Sequence, residues 1–403
     1  MGELAMIDGP GDGRSDLWGP LRERYARPGP RRLLALDGGG IRGVMTLEIL
    51  AEIERQLREL RGAGPEFRLC HFFDYVGGTS TGAIIAAGLA RGMSVAELLD
   101  FYTAVGPQMF DRAAIWNRWK HLYDADPLQR QLQQVFGADA DLFPASLRCL
   151  LLVVTRNSTT DSPWPISSNP LARYNDPARP DCNLRIPLWR LVRASTAAPV
   201  YFPPEVIEWD PKDPAKAFVF VDGGITPYNN PALLLYRMAT LPEYRLGWPS
   251  GEDRLMLVSV GTGAAPLLGT TAADPESHLL ATGKGVLGAL MNGAGIEQDL
   301  NCRVFGRCVH GPVIDRELGD LVPREADGEP IPLARDLGRA FLYARYQPDL
   351  TAAGLAALGL AGIDPAKVQA LDAVDRIDDL RRIGRVAAAR DVRMTEFGVL
   401  ASA

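Results

Sequence analysis

An α/β fold, with a mainly parallel sheet covered by helices on both faces, is what this sequence predicts, and three observations carry that prediction. Short apolar runs at residues 33–36 and 72–76 read as buried strands, and each leads into a glycine-rich turn and then a helical pattern. Strand, helix, strand, helix at this spacing marks a parallel sheet covered on both sides. Further apolar runs at 147–155, 218–221 and 255–260 supply strands of the same buried kind. Finally, 403 residues with 47% apolar and 23% charged content are enough to bury a large core.

The elements follow in order. The opening stretch, MGELAMIDGPGDGRSDLWGP, is rich in glycine and proline and lacks the basic-then-apolar plan of a secretory signal. A loose leader is therefore expected over residues 1–30. After the first strand comes DGGGIRG (37–43), then a helix over 44–60 with Leu47, Leu50, Ile53, Leu57 and Leu60 on one face. The glycine- and proline-bearing stretch 62–65 ends it. The second strand runs into GTSTG (78–82) and a helix of small residues over 83–90, suited to close packing on a sheet.

Residues 94–136 read as amphipathic helix and carry Phe101, Tyr102, Phe110, Trp116, Trp119 and Tyr123. Beyond the strand at 147–155, residues 157–187 form a polar, proline-rich excursion with no element expected in it. A short helix is expected over 190–198. The strand at 218–221 runs directly into Asp222-Gly223-Gly224, and the strand at 255–260 ends in Gly261-Thr262-Gly263. Residues 276–300 and 349–395 read as mainly helical. The organisation predicted is thus a leader (1–30), an α/β domain (31–265) and a mostly helical C-terminal extension (266–403) packed on that domain or regulating it.

Charge and cysteine usage exclude several classes of function. With 43 basic and 49 acidic residues the net charge is −6, so no overall positive field recruits nucleic acid. No window of roughly 20 residues stays apolar and uncharged, as a membrane-spanning helix requires. Cys70, Cys149, Cys182, Cys302 and Cys308 are odd in number and widely spaced, which argues against a disulfide framework and for a reducing cytoplasm. Neither a CxxC pair nor HExxH occurs, so no metal or cofactor is expected.

The two glycine-rich turns carry the chemistry. In GTSTG, Ser80 sits between Gly78 and Gly82 with the spacing of a nucleophile elbow, a turn so sharp that small residues are needed on both sides. DGGGIRG would place successive amides at a helix N-terminus, where they can hold an oxyanion. A nucleophile beside a home for negative charge suggests acyl transfer. Gly38, Gly40 and Gly43 also fit the dinucleotide pattern GxGxxG. That reading needs an acidic residue at the end of a second strand about 20 positions on, which here falls inside the helix AEIERQLREL.

Serine chemistry needs a base. The histidines after Asp222 are His278, in the polar segment ADPESH, and His310, beside a Gly-Pro turn, and structural roles suit both, as they suit His71 and His121. Asp222 is the alternative: it closes an apolar strand, and Gly223-Gly224 leave room for a serine to approach. By itself it reads better as a turn aspartate capping the two glycines.

Taken together, DGGGIRG, GTSTG and a DGG after an apolar strand, in that order, resemble the signature of patatin-like phospholipases. The stretch ASTAAPVYF (194–202) and Asn229-Asn230-Pro231 resemble further segments of that family, and the likeness covers about residues 31–265. The resemblance implies a three-layer αβα fold and lipid acyl hydrolysis of phospholipase A or lysophospholipase type, without a cofactor. It implies Ser80 as nucleophile, Asp222 as base and Gly38, Gly39 and Gly40 as oxyanion hole. Arg42 would hold the loop or an anionic head group. A phospholipid or other acyl lipid is the implied substrate, with peripheral contact at a membrane, and the aromatic segment 110–123 is a candidate lid or membrane-facing patch whose competing reading is core. The same constellation would serve an acyltransferase, an esterase or a peptidase, and a non-catalytic lipid-binding protein could retain it. Some bacterial members of the family are switched on by a partner or a nucleotide signal, so an unknown activator acting through the C-terminal region is a further expectation.

Overall fold

The computed structural model describes residues 15–110, 127–199, 202–210, 212–264, 275–315, 317–326, 328, 331 and 338–402. The sequence segment proposed as a lid falls almost wholly at 111–126, outside the described residues.

One sheet organises the chain. Its strands are β1 (Arg31–Leu36), β2 (Tyr75–Thr79), β3 (Leu150–Asn157), β4 (Ser162–Ser167), β5 (Glu205–Glu208), β6 (Ala217–Asp222), β7 (Leu255–Val260), β8 (Arg307–His310) and β9 (Leu342–Tyr346). They are ordered β5-β6-β3-β2-β1-β7-β9-β8, with β4 paired to β3. The links from β3 through β2, β1, β7 and β9 to β8 are parallel, whereas β4, β5 and β6 join antiparallel. The predicted α/β class with a mainly parallel sheet and helical cover is what the structure shows.

The apolar runs are continuous rather than alternating because both faces of the sheet are buried. Leu34, Leu36, Val76, Leu151, Val153, Met256 and Val258 enter one core. Their neighbours Leu33, Ala35, Tyr75, Leu150, Leu152, Leu255 and Leu257 enter the other. The first face is covered by helices Gly43–Leu60, Thr81–Arg91 and Leu188–Ser195, and the second by helix Ala232–Thr240 with Trp18 and Tyr25. Thr81–Arg91 packs so closely that a Cβ on Gly82 would stand 2.2 Å from the Leu36 carbonyl oxygen. That approach explains the run of small residues.

Four expectations need correction. The loose leader does not extend over Ser15–Ala26, which folds as helical turns with Trp18, Leu21 and Tyr25 buried. Tyr25 Oη donates to the Asp74 carbonyl at 2.6 Å and accepts from the Leu150 amide at 3.0 Å, tying this segment to the starts of two strands. The excursion at 157–187 contains β4. Its sequence SPWPIS hides a strand behind two prolines, which are tolerated because β4 pairs along only one side. Leu60, assigned to the buried face of its helix, is 37% exposed in the last turn. The C-terminal region, although mostly helical, also contributes β8 and β9 to the same sheet.

That C-terminal region docks on the helix that follows DGGGIRG. Ile41, Val44 and Met45 share a third core with Leu350, Leu355, Leu380 and Ile383. Helix Ile377–Asp391 crosses so tightly that a Cβ on Gly384 would meet the Met45 backbone at 3.0 Å. Arg381 Nε donates to the buried Glu48 carboxylate at 2.6 Å at this junction.

Candidate active site

The strand registers bring Ser80 and Asp222 together. Thr79, the last residue of β2, pairs with Val154 of β3, and Asp222, the last residue of β6, pairs with Thr155. Along Leu152–Asn157 the opposite edge of β3 is taken by β4, so β2 and β6 share one edge and meet end to end. Because β6 runs antiparallel, both strands finish at the same point. A carboxylate at the end of one strand therefore faces the residue just beyond the end of the other.

Ser80 Oγ donates to Asp222 Oδ2 at 2.6 Å. The serine backbone is in the left-handed region, φ 54° and ψ −123°, where non-glycine residues are rare and which marks a strained elbow. A Cβ on Gly78 would lie 2.1 Å from the Gly82 carbonyl oxygen, so the glycine-serine-glycine spacing is sterically required. Ser195 fixes the elbow from below: its Oγ accepts from the Ser80 amide at 2.9 Å and donates to the Val154 carbonyl at 2.7 Å. The second carboxylate oxygen, Oδ1, accepts from the Gly224 amide at 2.7 Å, and the Asp222 amide donates to the Ala197 carbonyl at 2.9 Å. Burial pushes the Asp222 carboxyl up to about 6, while the Ser80 hydroxyl and the Gly224 amide pull it down. A group with that pKa exchanges protons readily near neutrality.

The glycine loop stands across from this pair. Gly38 is engaged in the fold: its amide donates to the Asn229 carbonyl at 3.2 Å and its carbonyl accepts from Thr262 Oγ1 at 3.0 Å. Among the described residues no partner accepts from the amides of Gly39 and Gly40, and both residues line one cavity with Ser80 and Asp222. Of the three glycines, Gly39 and Gly40 are thus the ones with amides open to a ligand. A Cβ on Gly39 would stand 2.1 Å from Thr262 Oγ1, and one on Gly40, at φ 60°, 2.2 Å from the Leu371 carbonyl oxygen. Arg42 is buried and turned toward the Gly39 and Gly263 carbonyls, at 3.4 and 3.5 Å, on the loop side rather than toward a head group. Burial lowers its guanidinium to about 10, against the pull of Asp37.

Beneath the loop lies a buried ion pair. Arg345 of β9 holds Asp37, the first residue of DGGGIRG, with Nη1 to Oδ1 at 2.8 Å and Nη2 to Oδ2, and Nη1 also donates to Ser259 Oγ at 2.7 Å. Burial pushes the Asp37 carboxyl up, and Arg345 pulls it back toward the ionised form.

The cavity that Ser80 faces measures about 40 Å³ and is walled further by Phe202, Met291, Leu371 and Asp372. In this measure a water needs roughly 10–15 Å³, so the space holds a few waters and no acyl chain. Leu371 is held in place by its carbonyl, which accepts from the Ile41 amide at 3.0 Å. Among the described residues lining the cavity there is no histidine. His310 stacks on Tyr346 with ring centroids 5.0 Å apart, and His71 lies at the opposite end of β2. His121 and the side chain of His278 lie outside the described residues.

Residue-by-residue reading of the sequence did not single out Ser195, Thr262, Arg345 or Leu371. The first two sit in stretches already marked by ASTAAP and Gly-Thr-Gly. Nothing local marks Arg345, which is 308 positions from its partner.

Comparison with known proteins decides the family. The model of the family described as patatin-like phospholipase matches residues 34–236, which contain both glycine turns, Ser80 and Asp222. The chain belongs to that family. A cGAMP-activated phospholipase of Vibrio cholerae is 32% identical over 217 residues, covering 50% of this chain and 56% of that protein. An intracellular phospholipase A2 of Caenorhabditis elegans is 32% identical over 256 residues, covering 61% of this chain and 21% of that protein. Patatin-17 of Solanum cardiophyllum is 30% identical over 258 residues, covering 61% of this patatin-like chain and 64% of its relative. The chain thus spans about half the length of the first of these relatives. Arg345, Leu371 and Asp372 lie beyond the matched family segment.

One consequence of the loop geometry can be measured directly. Thr262→Val keeps the side-chain shape but removes the shorter of the two hydrogen bonds to the Gly38 carbonyl, leaving this buried acceptor only the 3.5 Å contact from Asn229 Nδ2. A stability loss of about 1–3 kcal/mol is expected, read as a lowered urea midpoint at unchanged slope. An unchanged midpoint would show that Thr262 does not hold the loop.

Proposed function

We propose that this chain is a lipid acyl hydrolase of phospholipase A or lysophospholipase type, cleaving carboxylic esters of glycerophospholipids. Residues 31–265 carry the reacting groups, and Met291, Leu371 and Asp372 of the C-terminal region wall the cavity they face. The observation that carries the reading is the 2.6 Å bond from Ser80 Oγ to Asp222 Oδ2 at a strained elbow, beside two open amides. Family membership and the phospholipase relatives support the substrate class.

Asp222 accepts the Ser80 proton as Oγ attacks the ester carbonyl. The Gly39 and Gly40 amides receive the developing oxyanion, a contribution of about 2.7–4 kcal/mol per donor in comparable sites. The alcohol departs with the proton returned by Asp222, and water activated by the same carboxylate releases the acid. Ser195 holds the elbow, and the Gly224 amide keeps Oδ1 occupied so that Oδ2 faces the serine.

A base must be ionised to act. With Asp222 raised to about 6, kcat/KM is expected to climb with pH through about 6 and level off above it. The chain has no described helix long and apolar enough to cross a membrane, so lipid is met from the aqueous side in this reading. The test is fatty-acid release from phosphatidylcholine and lysophosphatidylcholine, with p-nitrophenyl ester and peptide as competitors. Release from the lipids with the stated pH profile supports the proposal. Cleavage of peptide alone, or a plateau already reached at about pH 4, overturns it.

A further inference from the structure

A second cavity, of about 580 Å³, lies at the other end of the elements that carry Ser80. Ser80 follows β2 and precedes helix Thr81–Arg91, whereas this cavity is bounded by His71 before β2, by Arg91 at the end of the helix and by Arg148 just before β3. Arg24 and Arg68 complete a wall of four arginines and a histidine, with Glu66 the one acidic residue among the described lining residues.

The side chains of this wall are mostly cationic. Arg24 is neutralised by Asp74, Nε to Oδ1 at 3.0 Å, and donates also to the Cys70 and Phe73 carbonyls. Arg91 and Arg148 pair with no carboxylate among the described residues, and Arg68 makes no ion pair there, although Glu54 and Glu97 lie within its electrostatic reach. Arg68 Nη1 donates to the Pro65 and Phe67 carbonyls and Arg91 Nη1 to the Ser146 carbonyl, contacts that orient the guanidinium groups without cancelling their charge. His71 senses the result: burial, then Arg24, Arg68 and Arg148, all lower its proton affinity. Its Nδ1 accepts from the Arg68 amide at 3.1 Å, which leaves the proton of the neutral ring on Nε2 as a further donor.

In a chain of net charge −6 such a concentration is not a by-product of basic composition. Like charges held together cost free energy unless an anion joins them. Arginine forks match phosphate oxygens bidentately, and the volume lies within the roughly 300–1,000 Å³ of small-molecule sites rather than that of a single bound ion.

We propose that this cavity binds a ligand carrying two or more phosphate charges, held by Arg68, Arg91 and Arg148 with His71 as an additional donor. The site stands apart from the acyl-transfer reading, since it shares no residue with the Ser80 cavity. Helix Thr81–Arg91, about 16 Å long at 1.5 Å per residue, joins the two.

The test is equilibrium binding to the full chain at fixed ionic strength. Inorganic pyrophosphate and ADP serve as soluble probes by calorimetry, and phosphatidylcholine vesicles containing phosphatidic acid or a phosphoinositide serve as lipid probes by co-sedimentation. Saturable binding of the soluble probes identifies a soluble phosphate ligand, and saturable binding of the anionic vesicles alone identifies a lipid head group. Either supports the site if Arg68→Ala or Arg148→Ala weakens binding about tenfold or more and Ser80→Ala does not. His71 provides a second readout, because a bound polyanion offsets the arginines and raises its pKa, which NMR titration follows. No saturable binding by any probe overturns the proposal. So does an affinity unchanged in a folded Arg68→Ala/Arg148→Ala double variant.

Discussion

Asp222→Asn is expected to abolish ester cleavage while making the protein more stable, and Ser80→Ala to abolish cleavage alone. The catalytic loss should be roughly 10⁴–10⁶-fold for either, as found where a nucleophile or the carboxylate of a comparable dyad or triad is removed. The gain in stability follows from the raised carboxyl. Its folded-state pKa of about 6 exceeds the ordinary 3.8, so the folded protein binds the proton more tightly than the unfolded chain does. The stability this gives is fully present below about pH 4 and is lost as pH rises through about 6. At about pH 7.5 the carboxylate is therefore ionised in a place that disfavours charge, at a cost on the order of 3 kcal/mol. Asparagine presents its carbonyl oxygen to the Gly224 amide and its NH2 to Ser80 Oγ, which then accepts, without that charge. Melting should rise by about 3 °C at about pH 7.5, and the difference should vanish near pH 4. An inactive but more stable Asp222→Asn separates loss of the base from misfolding. Full activity in Asp222→Asn would end the Ser-Asp assignment, and a lowered melting temperature at both pH values would mark Asp222 as structural.

The parts of this site that were legible in the sequence are those whose physics is local. A serine between two glycines after an apolar run can be read because the elbow itself demands the glycines, as the 2.1 Å approach at Gly78 shows. The strand before Asp222 was legible for the same reason, but its direction was not. Whether β6 runs with or against β2 depends on register with β3, and it is this antiparallel arrangement that places Asp222 beside Ser80. Trp18 and Tyr25 were lost in a segment whose glycine and proline content reads as loose, although each ring is buried against the sheet. β9 was missed because LYARY is short and carries a charged residue at its fourth position, and that charge is buried only because Asp37 neutralises it. A buried arginine can be understood only together with its partner.

That partner relation gives the second large effect. Arg345→Met fills the space of the side chain but leaves the Asp37 carboxylate without its cation at a site where both side chains are almost fully buried. Breaking one side of a buried pair typically costs about 3–5 kcal/mol, because the remaining charge has neither water nor counter-charge. In a chain of 403 residues that corresponds to a fall in melting temperature of about 4–6 °C. The loss should shrink in Asp37→Asn/Arg345→Met, which removes the stranded charge, so a double-mutant cycle reads the coupling directly. The functional consequence is separable from the stability loss. Asp37 opens the loop whose Gly39 and Gly40 amides face the cavity, so a displaced loop weakens transition-state contacts more than ground-state ones, and kcat should fall while KM changes little. Arg345→Lys retains the charge but not the two-pronged grip on Asp37, and should recover stability more fully than kcat. Equal recovery of both would reduce Arg345 to a structural residue. Retention of full stability in Arg345→Met would show that Asp37 takes up a proton when left alone, and the variant would then lose its stability as pH is raised.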